Sequence, residues 1–123
     1  MQFTAYVVTG AGRGKKIGTP TLNVNLDDVP KKLKEGIYAC RVQWKVGDGR
    51  WADAVLHYGP RPVFKDSLSC EVHILDEHIE HSPDMITIDI MKYLRPVLDF
   101  PSPQALKKQI EKDIEEARNI FME

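Results

Sequence analysis

Two short segments, Thr21-Leu22-Asn23 and Glu71-Val72-His73, carry the residues whose types and spacing could do chemistry. An extended strand is expected after Pro20, so Thr21, Asn23 and Asn25 share one face while Leu22, Val24 and Leu26 share the other. A hydroxyl and an amide oxygen at alternate positions of one strand can both ligate Mg²⁺ or another divalent cation. Such a hard cation takes oxygen donors and usually keeps substrate phosphates among its ligands. Glu71 adds a carboxylate able to act as a general base facing that site. Just upstream, Gly10 to Gly18 places four glycines and three basic residues (Arg13, Lys15, Lys16) in nine positions. Backbone N–H groups and cations of such a loop can approach a polyphosphate closely. It is not a Walker A loop, because Lys15 stands where the second glycine belongs and no Lys-Ser/Thr pair follows. Nor is it a dinucleotide fingerprint, since Ile17 occupies the place of the third glycine.

Each feature also has a purely structural reading. The glycine-rich run could be a solvated connection, and a Thr-x-Asn pair often satisfies backbone groups at a strand edge. Alternation puts Glu71, His73 and Leu75 on one face, with Cys70, Val72 and Ile74 on the other. A Glu beside a Leu is either shielded from water, which suits a base, or paired with Arg61 or Arg95 in a structural role. His73 reads as a hydrogen-bonded strand residue in preference to an acid/base group. His57, His78 and His81 lack the spacing of a zinc site.

Five ordered blocks resemble the riboflavin kinase domain of the bacterial and eukaryotic type. Its pattern runs roughly G-x-G-R-G-x-x-L-G-x-P-T-A-N, G-V-Y-A, N-I-G-x-R-P-T-F, E-V-H-L-L-D and R-L-R-P. Here the blocks are Gly10 to Asn23, Gly36 to Ala39, His57 to Phe64, Glu71 to Asp76 and Tyr93 to Pro96, covering nearly the whole chain. The resemblance implies transfer of the γ-phosphoryl of ATP to the 5′-hydroxyl of riboflavin, giving FMN and ADP. By matching positions it implies Glu71 as the catalytic base and Thr21 and Asn23 as Mg²⁺ ligands. It also implies that Gly12, Arg13, Gly14, Lys15, Lys16, Gly18, Thr19, Pro20 and Thr21 bind the nucleotide phosphates and exclude water. Departures stand at Thr19 for an aromatic residue, Leu22 for alanine, His57 for asparagine and Val63 for threonine, and Glu80-His81-Ser82-Pro83 replaces a usual Tyr-Gly. These leave open a non-catalytic flavin- or nucleotide-binding module, and Leu22 adds bulk where the family packs a small residue. The run Thr21-Leu22-Asn23-Val24 also matches a tetrapeptide of the archaeal CTP-dependent riboflavin kinases, whereas the block from Glu71 to Asp76 and the closing helix favour ATP. Many bacterial relatives place this domain behind a nucleotidyltransferase that makes FAD; if the chain is complete, it is expected to make FMN only.

Six strands must position these groups. They are expected at Phe3 to Val8, Thr21 to Leu26, Ile37 to Val46, Trp51 to Leu56, Ser69 to Leu75 and Met85 to Lys92, with Gly47-Asp48-Gly49 as a hairpin turn. Short strands separated by turn signals predict a mainly β fold, a small antiparallel, Greek-key-like barrel without exposed edges. Ser102 and Pro103 then open a C-terminal helix whose apolar stripe, Leu106, Ile110, Ile114, Ala117 and Phe121, is expected to pack on that barrel. Its lysines and glutamates from Lys107 to Glu116 read as a solvated face.

At 123 residues the chain fits a single domain, 1–123, large enough for a core without staples. Cys40 and Cys70 lie in apolar strand positions and read as reduced core residues. The start lacks a signal-peptide pattern and no run is long enough to span a bilayer, so a cytoplasmic monomer is expected. A formal charge of −1 argues against nucleic acid or an anionic membrane as a partner. An oligonucleotide-binding barrel would use Trp44 and Trp51 as stacking platforms, but both read better as packing residues.

Overall fold

The computed structural model describes residues 1–8, 21–44, 51–60, 68–76, 83–98 and 101–122. Six strands form: β1 (Gln2–Val8), β2 (Thr21–Val24), β3 (Gly36–Gln43), β4 (Ala52–Pro60), β5 (Leu68–Ile74) and β6 (Met85–Arg95). They close into an all-antiparallel barrel in the order β1-β2-β5-β4-β3-β6, followed by helix α1 (Pro103–Phe121). Strands β3, β4 and β5 are successive neighbours and β6 returns beside β3, which is the Greek key arrangement.

The interior is filled by one face of every strand. Leu22, Tyr38, Leu56, Val72, Ile74 and Ile88 all belong to that core, each at most 5 % exposed. A barrel this small holds side chains and leaves no lumen for a substrate. Cys40 and Cys70 are free thiols in the core, and burial pushes the Cys70 thiol up to about 12. Trp44 packs against the core, whereas Trp51, just before β4, is exposed.

Several boundaries differ from the sequence expectation, among them β3, which ends at Gln43, short of the expected Val46. Strand β2 ends at Val24 because the Asn25 side chain accepts from the Asp27 N–H at 3.1 Å and caps a short 3-10 turn, Leu26–Asp28. Asp28 then accepts from the Tyr6 N–H at 2.9 Å, fastening the turn to β1. Asn25 thus does not extend the polar face of Thr21 and Asn23. Strand β4 runs on to Pro60, bringing His57 into the sheet. Strand β6 runs on to Arg95, with register shifts opposite Ile37/Tyr38 and Ala39/Cys40. These irregularities turn Tyr93 inward, where its ring meets Tyr38 edge to face at 5.4 Å. Gly59 needs its missing side chain: its φ is +145° and a Cβ would lie 2.9 Å from Val97 Cγ2.

Helix α1 forms where expected. The Ser102 hydroxyl accepts from the Ala105 N–H at 3.2 Å, with Pro103 at the first turn. Ile114, Ala117 and Phe121 cover Ile37, Ala39 and Val55 on the outside of β3 and β4. Two ion pairs hold it. Arg95 on β6 donates from Nε and Nη2 to the two Asp113 oxygens at 2.8 and 2.7 Å, and Gln109 adds a third bond to Asp113 at 3.1 Å. Near the other end Arg118 forks onto Asp76, just past β5. That contact holds the Asp76 carboxyl below the usual carboxylate range. No helix among the described residues is long and apolar enough to cross a membrane.

Candidate active site

On β2 the core residues Leu22 and Val24 point inward, and alternation therefore fixes Thr21 and Asn23 on the outer face. On β5 the core residues Cys70, Val72 and Ile74 likewise force Glu71 and His73 outward. Antiparallel pairing then aligns the two sets. Asn23 stands directly opposite Glu71 and Thr21 opposite His73. On its far side Glu71 pairs with His57 of β4, and His73 with Val55. Two rows therefore cross the outer wall, Asn23-Glu71-His57 and Thr21-His73-Val55. Directly opposed residues in such rows have Cβ atoms about 5 Å apart.

This surface is only partly open to water. Glu71, His73 and His57 are 8, 7 and 9 % exposed, while Thr21 and Asn23 are half-buried. The Thr21 hydroxyl lies 3.0 Å from His73 Nδ1. Burial lowers the His73 pKa to about 4; the neighbouring His57 adds to the effect and Asp113 opposes it. At neutral pH His73 is an uncharged imidazole, which agrees with its reading as a hydrogen-bonded strand residue. The Arg95 guanidinium, considered as a partner for Glu71, is engaged by Asp113. Arg61 lies outside the described residues.

Of the proposed site residues, the structure brings together Thr21, Asn23 and Glu71. Gly12, Arg13, Gly14, Lys15, Lys16, Gly18, Thr19 and Pro20 lie outside the described residues, as do the Gly47-Asp48-Gly49 turn, Val63, His78 and Glu80-His81-Ser82. Leu22 departs from the resemblance without touching the polar face: it is 4 % exposed inside the barrel, paired with Val72. Its bulk goes into the core.

Two residues were not placed here by the sequence reading. His57, noted there as a departure from the resemblance and as no zinc ligand, joins the Glu71 row because β4 continues past Leu56; extending the strand's alternation by one residue would have reached it. Asp113 is 2 % exposed at the helix–barrel contact. It stands four residues before Ala117, on the apolar stripe, and an acid on such a stripe signals a buried cationic partner.

The donors suit one kind of cation site. No cluster of three or more His, Cys, Asp or Glu side chains able to hold a metal occurs among the described residues. A hydroxyl and an amide oxygen cannot make a complete cage, but they fit Mg²⁺ that arrives carrying phosphate oxygens and retains water.

The riboflavin kinase (flavokinase) family model matches residues 1–121. A riboflavin kinase from Homo sapiens is 36% identical over 119 residues, covering 91% of this chain and 75% of that protein. A bifunctional riboflavin kinase/FMN adenylyltransferase from Haemophilus influenzae is 34% identical over 116 residues, covering 94% of this chain and 37% of that protein. The chain thus spans 17%, 37% and 36% of the length of three bacterial relatives. Among solved structures, one described as a macrolide-efflux protein from Streptococcus pneumoniae superposes with a TM-score of 0.78 at 26% identity, over 96% of this chain and 38% of that one. Riboflavin kinase from Trypanosoma brucei shares the fold, with a TM-score of 0.62 at 19% identity over 99% and 80% of the two chains. Ordered motifs, a closed barrel with its C-terminal helix, and a family match along almost its whole length together mean that the chain belongs to the riboflavin kinase family.

Proposed function

We propose that this chain transfers the γ-phosphoryl of ATP to the ribityl 5′-hydroxyl of riboflavin. The observation that carries the reading is the direct cross-strand pairing of Asn23 with Glu71, beside Thr21, on the barrel's outer wall. Phosphoryl transfer asks a protein mainly for positioning and charge neutralisation. Thr21 and Asn23 would hold Mg²⁺, which when bound would supply neutralisation of the nucleotide's phosphate charge. The Glu71 carboxylate accepts the proton of the attacking hydroxyl as its oxygen bonds to phosphorus, and ADP leaves with the electron pair of the broken P–O bond. Partial burial of Glu71 keeps bulk water from competing for that proton. The glycine-rich and basic stretch, Gly12 to Pro20, binds the phosphates through backbone N–H groups and Arg13, Lys15 and Lys16. A monomer acting in the cytoplasm is the simplest setting.

The test incubates the protein with riboflavin, Mg²⁺ and either ATP or CTP, and separates riboflavin, FMN and FAD by chromatography with fluorescence detection. FMN formed faster with ATP is expected. Faster turnover with CTP would overturn the donor assignment. A folded protein that binds flavin or nucleotide and forms no FMN would instead be the binding module that the departure at His57 allows.

A further inference from the structure

We propose that His73 is a positioning residue: its Nδ1 accepts the Thr21 hydroxyl proton and so turns the lone pairs of Thr21 Oγ1 toward the cation. This rests on Thr21 being a Mg²⁺ ligand, as in the proposed function. A threonine hydroxyl has one proton and two lone pairs. To ligate a cation with a lone pair it must send its proton elsewhere, and a proton pointing at the cation cancels the advantage. Thr21 and His73 are opposite residues on β2 and β5, with Oγ1 and Nδ1 at 3.0 Å. The imidazole is 7 % exposed and has Val55 as its other cross-strand neighbour, so its ring is held in the sheet. Groups beyond the first layer of ligands commonly orient it in this way.

The tautomer decides the matter. With the proton on Nε2, Nδ1 is an acceptor and Thr21 presents two lone pairs outward. With the proton on Nδ1, the ring donates to Oγ1, occupies a lone pair and leaves the hydroxyl proton facing the site. Only the first arrangement makes Thr21 a good ligand. A cation held by Oγ1 would also polarise the O–H group and so strengthen its bond to Nδ1.

Two measurements test this on the intact chain. The first is calorimetric titration of ADP with and without Mg²⁺ for the parent, His73→Phe and His73→Asn. Phenylalanine keeps the bulk without the acceptor, and the asparagine Oδ1 reproduces an acceptor near Nδ1. The Mg²⁺-dependent gain in ADP affinity is expected to shrink about tenfold in His73→Phe, with metal-free affinity unchanged, and to be largely restored in His73→Asn. A folded His73→Phe that keeps the parent's full gain overturns the proposal. A parent with no Mg²⁺-dependent gain overturns the cation site and this inference with it, which separates the two failures. The second measurement needs no variant: ¹⁵N resonances of the His73 ring in the parent. An unprotonated, pyridine-like Nδ1 is expected, and a protonated Nδ1 refutes the assignment.

Discussion

Replacing Asp113 with Asn tests whether the helix is held to the barrel by a buried charge. The carboxylate is 2 % exposed, accepts two bonds from Arg95 at 2.8 and 2.7 Å and a third from Gln109 at 3.1 Å. Asn keeps the size and part of the hydrogen bonding but removes the negative charge facing the guanidinium. Breaking one side of a buried ion pair costs about 3 to 5 kcal/mol. The Arg95 side chain keeps 15% of its surface, so water compensates some of the loss and the lower end, about 3 kcal/mol, is expected. With ~2.1 cal/mol/K of unfolding entropy per residue, a chain of 123 residues loses about 4 °C of midpoint per kcal/mol, so the fall is about 12 °C. Differential scanning calorimetry reads it, with Asp76→Asn as the control. The Arg118–Asp76 side chains are 45% and 67% exposed, and an ion pair in water contributes little, so that variant is expected to melt with the parent. A shift below about 3 °C in Asp113→Asn, or equal shifts in the two variants, would refute the argument that burial makes the difference.

Other expectations concern the site. Glu71→Gln keeps the side chain's volume but cannot take a proton, so turnover falls by about a hundredfold or more while nucleotide binding persists; unchanged turnover removes Glu71 from the mechanism. Asn23→Ala removes one oxygen donor, and the Mg²⁺ concentration giving half-maximal rate rises; a titration superimposable on the parent's shows that Asn23 is not a ligand. In the metal-free protein His73 is held neutral, with its pKa lowered from 6.5 to about 4, so folding excludes a proton that the unfolded chain binds. Its stability contribution is complete above pH 6.5 and is lost as pH falls from there toward 4, by about 3 kcal/mol at most; urea midpoints across that range should drop more in the parent than in His73→Phe. Cys40 and Cys70 are 0 and 1 % exposed, so thiol labelling at mildly alkaline pH is expected only at the rate of unfolding; rapid labelling in native buffer would contradict their burial.

The sequence by itself determined the elements that depend on local patterning. Period-2 alternation placed Cys70, Val72 and Ile74 inside and Glu71 and His73 outside, because a sheet with one buried face tolerates no slip of register. Ser102, Pro103 and the apolar stripe likewise specified the helix. It also singled out Thr21, Asn23 and Glu71, since their chemistry is a property of residue type and parity on a strand. Tertiary structure decided which strands are neighbours. The pairing of β2 with β5 joins segments far apart in sequence, and together with the pairing of β5 with its predecessor β4 it sets Asn23, Glu71 and His57 in one row. Local signals could not announce the inward turn of Tyr93, which follows from register shifts between β3 and β6. Nor could they reveal that Arg95 answers Asp113, a contact created when the helix lies across β3 and β4. Strand parity is written residue by residue, whereas neighbourhood comes from packing the whole chain around one core.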